Sequence, residues 1–344
     1  MPKVELHVHL EGAVRAARLL AIWRRHGLHS HLQTPEDVGH LFRHASFGEF
    51  LDHFRFVVTS FRDVQDLHDI AADLCADLAA QNVVYAEVIF SAAIFARLGI
   101  PLGESIAAVS EAAAYAERTL AGGGNVPARY NFVIDLVRNF GADSARKLAS
   151  DIVCLGHPRI VGVHLGGDEV RFPGRDFKAA FGIAREAGLG RAAHAGEADG
   201  AESVREAVEV LGASRIGHGI RSLEDASVVR TLLDRQVTLE VCPTSNVCTG
   251  VVPDLARHPL PDLLRAGLRV TLGADDPSFF ATTLGGELER ARTECSLGLE
   301  VLEGFGTTGL DAAFLPAPER QARRAGFTAA CVRIRSECGL GPQT

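Results

Sequence analysis

"VELHVHLEG", residues 4–12, sets His7 and His9 two positions apart in an apolar run at the start of the chain. Residues i and i+2 of a β-strand share a face, so in a strand both imidazoles project the same way. Whether they do depends on whether similar runs recur. Apolar, β-branched segments fall at about 3–9, 83–90 (VVYAEVIF), 129–135 (RYNFVID), 159–165 (RIVGVHL), 190–194 (GRAAH), 214–218 (SRIGH), 237–242 (VTLEVC) and 268–274 (LRVTLGA). These read as eight buried strands. Longer amphipathic stretches at 104–120, 141–155, 176–187, 201–211 and 223–235 read as the helices between them. Strands alternating with crossover helices are parallel, and eight such units predict an α/β fold, a closed (β/α)8 TIM barrel. An open doubly wound sheet is the alternative, but no G-x-G-x-x-G follows the first strand.

The interval 28–82 is too long for one connection and has its own helical pattern. It reads as a helical insertion, or lid, after the first strand. Residues 298–344 read as further helices outside the barrel, and "AGGGN" at 121–125 as a turn rather than a linker. The whole of 1–344 is expected to form one barrel domain.

Composition narrows the function. With 35 basic against 43 acidic side chains, a net charge of −8 and no basic cluster, nucleic-acid binding has no electrostatic footing. A small or neutral ligand fits better. No apolar stretch reaches the roughly 18–20 residues of a membrane span, and no export signal precedes "HVH". Seven cysteines, an odd number without zinc-ribbon spacing, read as reduced thiols. A cytoplasmic location is expected. Oligomeric state is not legible.

In a barrel the C-terminal strand ends form the active-site face. Metal-ligand residue types collect there: His7 and His9 after strand 1, His194 in "HAGE", His218 in "RIGHG", Asp275 and Asp276 in "GADDP". Three imidazoles and a carboxylate suit zinc with room for a water. A single buried histidine is usually a core residue, but four with an Asp-Asp pair at strand ends point to a site. Glu197 follows His194 by three residues. A carboxyl in a closed apolar pocket has a raised pKa and suits a general acid; the alternative is a helix-N-terminal Glu. "LGGDE" at 165–169 lets backbone approach a ligand closely. Phe47, Phe50, Leu51, Phe54 and Phe56 have the helical spacing of core packing. Cys242 and Cys248 in "EVCPTSNVC" do not have metal-site spacing.

"PKVELHVHLEGA", "LGGDE", "HAGE", "RIGHG", "EVCPTSN" and "DDP" together resemble, in order and spacing, the adenosine deaminase family of metal-dependent amidohydrolases, over residues 2 to about 290. The resemblance implies one zinc ion held by His7, His9, His194 and Asp275. It implies that Glu197 donates a proton to N1 of a 6-aminopurine, that His218 deprotonates and orients the attacking water, that Asp276 bonds N7 and that the Gly167 amide contacts N3. Asp275 then serves both metal and catalysis, and His9 and Glu11 border the substrate. Two-metal relatives bridge their ions with a modified lysine on strand 4, and none of Lys3, Lys147 and Lys178 lies there. A mononuclear site follows. The H-x-E and P-C-x-x-C signature of base-flipping deaminases is missing.

Three departures bear on the substrate, a purine nucleoside by this reading. Glu11 stands where adenosine-specific members carry an Asp that touches the ribose 5′-hydroxyl; Glu is common in sister groups acting on adenine or 5′-modified nucleosides. "FSAAIFARLG" at 90–99 lacks the F-D-P-Q-type segment of the adenine branch. His164 in "HLGGDE" replaces a familiar Asp, with a hydrogen bond to a ligand as its default role. These features rank adenosine and 2′-deoxyadenosine first, a 5′-modified nucleoside such as aminodeoxyfutalosine second, its carboxylate met by Arg97, Arg55 or Arg62, and adenine third. Another barrel hydrolase opening a cyclic amide, or a non-catalytic zinc and nucleoside binder, are the alternatives from other classes.

Overall fold

The computed structural model describes residues 1–44, 47–120 and 127–340. Eight parallel strands run in chain order: β1 (Lys3–His9), β2 (Val83–Phe90), β3 (Arg129–Asp135), β4 (Ile160–His164), β5 (Gly190–Ala195), β6 (Arg215–His218), β7 (Thr238–Val241) and β8 (Arg269–Leu272). Each lies beside the next. A parallel bridge between Val8 and Asp275 closes the ring, with His9 N–H donating to Asp275 O (2.8 Å) and Asp275 N–H donating to His7 O (2.9 Å). The fold is therefore a (β/α)8 barrel, and its closure places the chain's two ends of metal-ligand chemistry side by side.

Helices cover the outside as their amphipathic patterns predict. Leu102–Thr119, Ala142–Leu155, Lys178–Glu186, Ala201–Glu209 and Ala226–Asp234 each bury one apolar stripe on the sheet. Within 28–82 lie helices Pro35–Val38, Phe47–Val58 and Val64–Ala80. Phe50 is buried and its ring meets those of Phe54, Phe279 and Phe280, so this part of the Phe series is packing. Leu51 and Phe56 are exposed, and the Phe47 side chain and the 121–125 turn lie outside the described residues.

The C-terminal segment does more than cover the outside. Between helices Leu299–Ala312 and Ala317–Glu337 the chain drives Phe314 into the barrel's N-terminal mouth. A methyl group on Gly190 or Gly162 would overlap that ring, at 2.1 and 2.7 Å, so only glycine on β5 and β4 admits it. The Arg215 guanidinium lies 3.6 Å over the Phe314 centroid. The ring plugs the bottom of the barrel, and the site opens at the other end.

Candidate active site

Period-2 alternation turns Glu5, His7 and His9 of β1 toward the barrel axis. The other strands bring His194, His218 and Asp275 to the same level. His7 and His194 have ring centroids 4.7 Å apart, His194 and His218 4.8 Å, and His9 and His194 5.4 Å. Asp275 Oδ1 is 3.5 Å from His7 Nε2 and 3.3 Å from His9 Nε2, and its Oδ2 is 3.9 Å from His218 Nε2. Every polar strand-end residue expected from the sequence is in one cluster.

The backbone is strained to build it. His218 and Asp275 both sit in the left-handed region, at φ 60° and 59°, which side-chain-bearing residues seldom adopt. Gly217 is crowded too: a Cβ there would lie 2.6 Å from His7 Cε1. The imidazoles meet only because β6 carries no side chain at that point.

The cluster is matched to a cation. Donor atoms of His7, His194, His218 and Asp275 all lie within 4.8 Å of one another. His7 Nε2 and His218 Nε2 are buried and have no hydrogen-bond partner among the described residues, which native interiors avoid unless a ligand supplies one. Burial disfavours a charged His7, yet the carboxylates of Asp275 and Glu240 outweigh it and push the ring up to about 10. The site thus calls for positive charge, and nitrogen and oxygen donors in this number suit one zinc ion. A second grouping, His7 with His164 and Glu240, shares His7 with the first, and Arg215 sits on Glu240 at 2.6 Å, which opposes a second cation. The group His26, Asp63 and Asp66 is already engaged, since Asp66 pairs with Arg25 and His26. One zinc site results among the described residues. Neither Cys242 nor Cys248 belongs to it, and all seven cysteines are free.

Of the carboxyls around the cluster, Glu197 and Asp276 are shifted toward the protonated form. Burial, then the charge of Asp275, raises Glu197 to about 8, and the same two causes raise Asp276. Glu197 Oε2 lies 3.5 Å from His218 Nε2, while Asp276 Oδ1 is buried with no partner. Gly12 has to be glycine here, because a Cβ would strike the Asp276 carboxylate at 1.8 Å. Gly167 is exposed at φ 100° in the β4 loop. Glu11 is fully buried; its Oε1 accepts the Ser91 N–H (2.9 Å) and its Oε2 is unpartnered. Burial raises this carboxyl to about 7.

A family model described as adenosine deaminase matches residues 2–327. The chain belongs to the adenosine deaminase family. It is 36% identical over 324 residues to an adenine deaminase of Rhizobium leguminosarum bv. trifolii (strain WSM2304), covering 94% of this chain and 97% of that one. It is also 36% identical over 324 residues to an aminodeoxyfutalosine deaminase of Acidothermus cellulolyticus, covering 90% and 87%. The crystal structure of an adenine deaminase from Arthrobacter aurescens superposes with a TM-score of 0.88 at 28% identity, covering 95% of this chain and 98% of that one. This family member is a zinc-dependent amidohydrolase that removes an amino group from an aminopurine. Among the described residues no helix is long and apolar enough to cross a membrane.

The structure adds partners that motif reading passed over. Glu169, the last residue of "LGGDE", accepts four backbone N–H groups of the loop bearing Glu197: Gly196 (2.5 Å), Glu197 (3.2 Å), Ala198 (2.9 Å) and Asp199 (3.1 Å). Asp135 accepts the Gly166 N–H (2.7 Å) and so anchors the glycine loop. Glu240 Oε2 bonds His7 Nδ1 at 2.9 Å. His164 Nε2 lies 3.1 Å from His194 Nδ1. The available signal was a charge inside an apolar strand: Glu240 in TLEV and Glu5 in KVELHVH have no solvent to face.

Proposed function

We propose that the chain deaminates free adenine to hypoxanthine and ammonia. The supporting observation is Glu11, with one buried carboxylate oxygen lacking any partner. A nucleobase offers an imidazole N–H that a nucleoside has lost to its glycosidic bond, and an unpaired buried acceptor selects for such a donor. The adenine deaminases among the relatives, at 36% identity for the one from Rhizobium leguminosarum, support the same reading. Adenosine, ranked first on motifs, ranks below it.

In this reading His7, His9, His194 and Asp275 hold zinc, and bound zinc supplies Lewis acidity that brings a water's pKa to about 7. The chain's own groups do the rest. Glu197, protonated at neutral pH, gives its proton to N1 as water adds at C6; the Asp275 carboxylate takes a proton from that water and passes it to the amino group, the C6–N bond breaks to release ammonia, and the proton of the new 6-hydroxyl returns to Glu197. Asp276, also protonated, donates to the N7 lone pair. The Gly167 amide meets N3, and His218 orients the water. Glu169 keeps the Glu197 loop in place.

A second reading, a 5′-modified nucleoside bearing a carboxylate, rests on the segment after β2. There helix Ala92–Arg97 ends in the exposed Arg97, stacked 3.9 Å over Phe140. Arg62 is committed to the carbonyls of Thr59 and Phe61. Ammonia release from adenine, adenosine, 2′-deoxyadenosine, a carboxylated 5′-substituted adenosine and a dihydropyrimidine tests both. Adenine is expected to exceed adenosine in kcat/KM by about 10²-fold or more. Faster turnover of the carboxylated nucleoside selects the second reading, and faster adenosine overturns both.

A further inference from the structure

Behind His218 runs a chain of three hydrogen bonds that ends on a backbone amide. Leu260 N–H donates to His258 Nδ1 at 3.0 Å. His258 Nε2 lies 3.2 Å from Asn246 Oδ1, and Asn246 Nδ2 lies 3.1 Å from His218 Nδ1. His258, Asn246 and His218 are all buried, so no water competes for these atoms.

The direction of every bond follows from the first. A backbone N–H can only donate, so His258 Nδ1 carries a lone pair and the ring's proton sits on Nε2. That proton needs an acceptor, which fixes the Asn246 oxygen toward His258. The reversed amide would face His258 Nε2–H with an NH2 group, donor against donor. With the oxygen so placed, the Asn246 NH2 points at His218 Nδ1, which must accept. Neutral His218 then has its proton on Nε2, the nitrogen that faces Glu197 Oε2 at 3.5 Å and Asp275 Oδ2 at 3.9 Å.

We propose that His258 and Asn246 are positioning residues that lock His218 in its Nε2–H tautomer, making it a hydrogen-bond donor to the attacking water. Two consequences follow. An Nε2 that carries a proton has no lone pair for zinc, so His218 is not a ligand despite its place in the donor group with His7, His194 and Asp275, and the fourth position falls to His9. Nor can His218 readily take a proton from the water: Nε2 is already occupied, and protonating Nδ1 would set it against the Asn246 NH2. Of the two duties the family resemblance implies for His218, the chain of bonds is built for orientation. The link to turnover rests on the deaminase reading, while the tautomer does not.

The test is long-range proton–nitrogen correlation NMR on zinc-loaded protein labelled with 15N-histidine, with the His218 signals assigned by its substitution. The expected result is a protonated Nε2 and an unprotonated, hydrogen-bonded Nδ1. A proton on Nδ1, or a zinc-bound Nε2, overturns the proposal, and this measurement on the unaltered chain requires no variant to fold. Asn246→Asp, which can only accept, is expected to move the proton to Nδ1 and lower kcat about 10- to 100-fold with KM little changed. His258→Gln, whose amide still donates to Asn246, is expected to keep the Nε2–H tautomer, and His258→Phe to lose it. An unchanged tautomer in both Asn246→Asp and His258→Phe overturns it as well. Failure to turn over adenine would leave the NMR result standing and would count against the substrate reading alone.

Discussion

The two ends of the barrel bury the same residue types and treat them in opposite ways. At the N-terminal end Arg215 meets Glu87 at 2.5 Å and Glu240 at 2.6 Å, while Glu87 also accepts from Tyr85 Oη and Phe314 N, each at 2.6 Å. Nearby, Arg159 grips Glu117 through two bonds of 2.6 and 2.9 Å. Charge is balanced there: each carboxylate has a guanidinium against it, and Arg215 Nε and Glu240 Oε1, which form no hydrogen bond, still face each other as an ion pair. At the C-terminal end His7 Nε2, His218 Nε2, Glu11 Oε2 and Asp276 Oδ1 are buried without partners. Satisfied buried charge holds a structure together only while both partners remain; unsatisfied buried polar atoms mark where a ligand belongs. Glu240 joins the two regimes, with one oxygen on Arg215 and the other on His7.

The comparison can be broken from either side. The largest effect is expected at the open end: His7→Ala should drop bound zinc, measured by elemental analysis, from one per chain to background and abolish turnover. Its neighbour Glu197→Gln should keep zinc and still lose about 10²- to 10⁴-fold in kcat; full activity in that variant would refute the proton-donor role. At the closed end, Arg215→Leu leaves two carboxylates unpaired and should cost about 3–5 kcal/mol in urea unfolding. An unfolding midpoint equal to that of the parent would mean the bottom network is not what holds that face.

Two smaller effects sharpen the boundary. Glu240→Gln should weaken zinc affinity about 10- to 100-fold in competition with a chelator, because a neutral amide has one acceptor oxygen where the carboxylate serves both His7 and Arg215. A single substitution isolates the closed end's share of the acid response. Burial by itself would raise Glu117, but bonds from Arg159 and Tyr130 N–H outweigh it and hold the carboxyl below its usual range. The stability this contributes is complete above the ordinary carboxylate pKa of about 4.3 and is lost as pH falls through the lower folded value. Glu117→Gln should therefore flatten the acid limb of a stability-against-pH curve and leave zinc content unchanged. A limb as steep as the parent's would place the acid sensitivity elsewhere.

Much of the fold was legible because buried parallel strands have a local signature. Segments read at 83–90 and 129–135 are β2 and β3 to the residue, and the shorter β6, β7 and β8 sit inside their predicted bounds. Strand ends then located His7, His9, His194, His218 and Asp275, since a polar residue there has one face to serve. Glu169 was passed over because "LGGDE" drew attention to its glycines, while its carboxylate works on amides 27 to 30 residues away. Phe314 carried no signal at all: a phenylalanine between two helices looks like packing until Gly162 and Gly190 are seen to leave a hole for it.

Local pattern, then, determined the eight strands, the face that carries chemistry and the residue types that bind one metal ion. Those depend on periodicity and on what each residue can do. Partnership was decided only by closure of the barrel, which sets His7 against Asp275 and Glu240, and His218 against Asn246 and, through it, a backbone amide at Leu260. Protonation and tautomer depend on those neighbours, because in a buried site each proton goes where the surrounding donors and acceptors leave room for it.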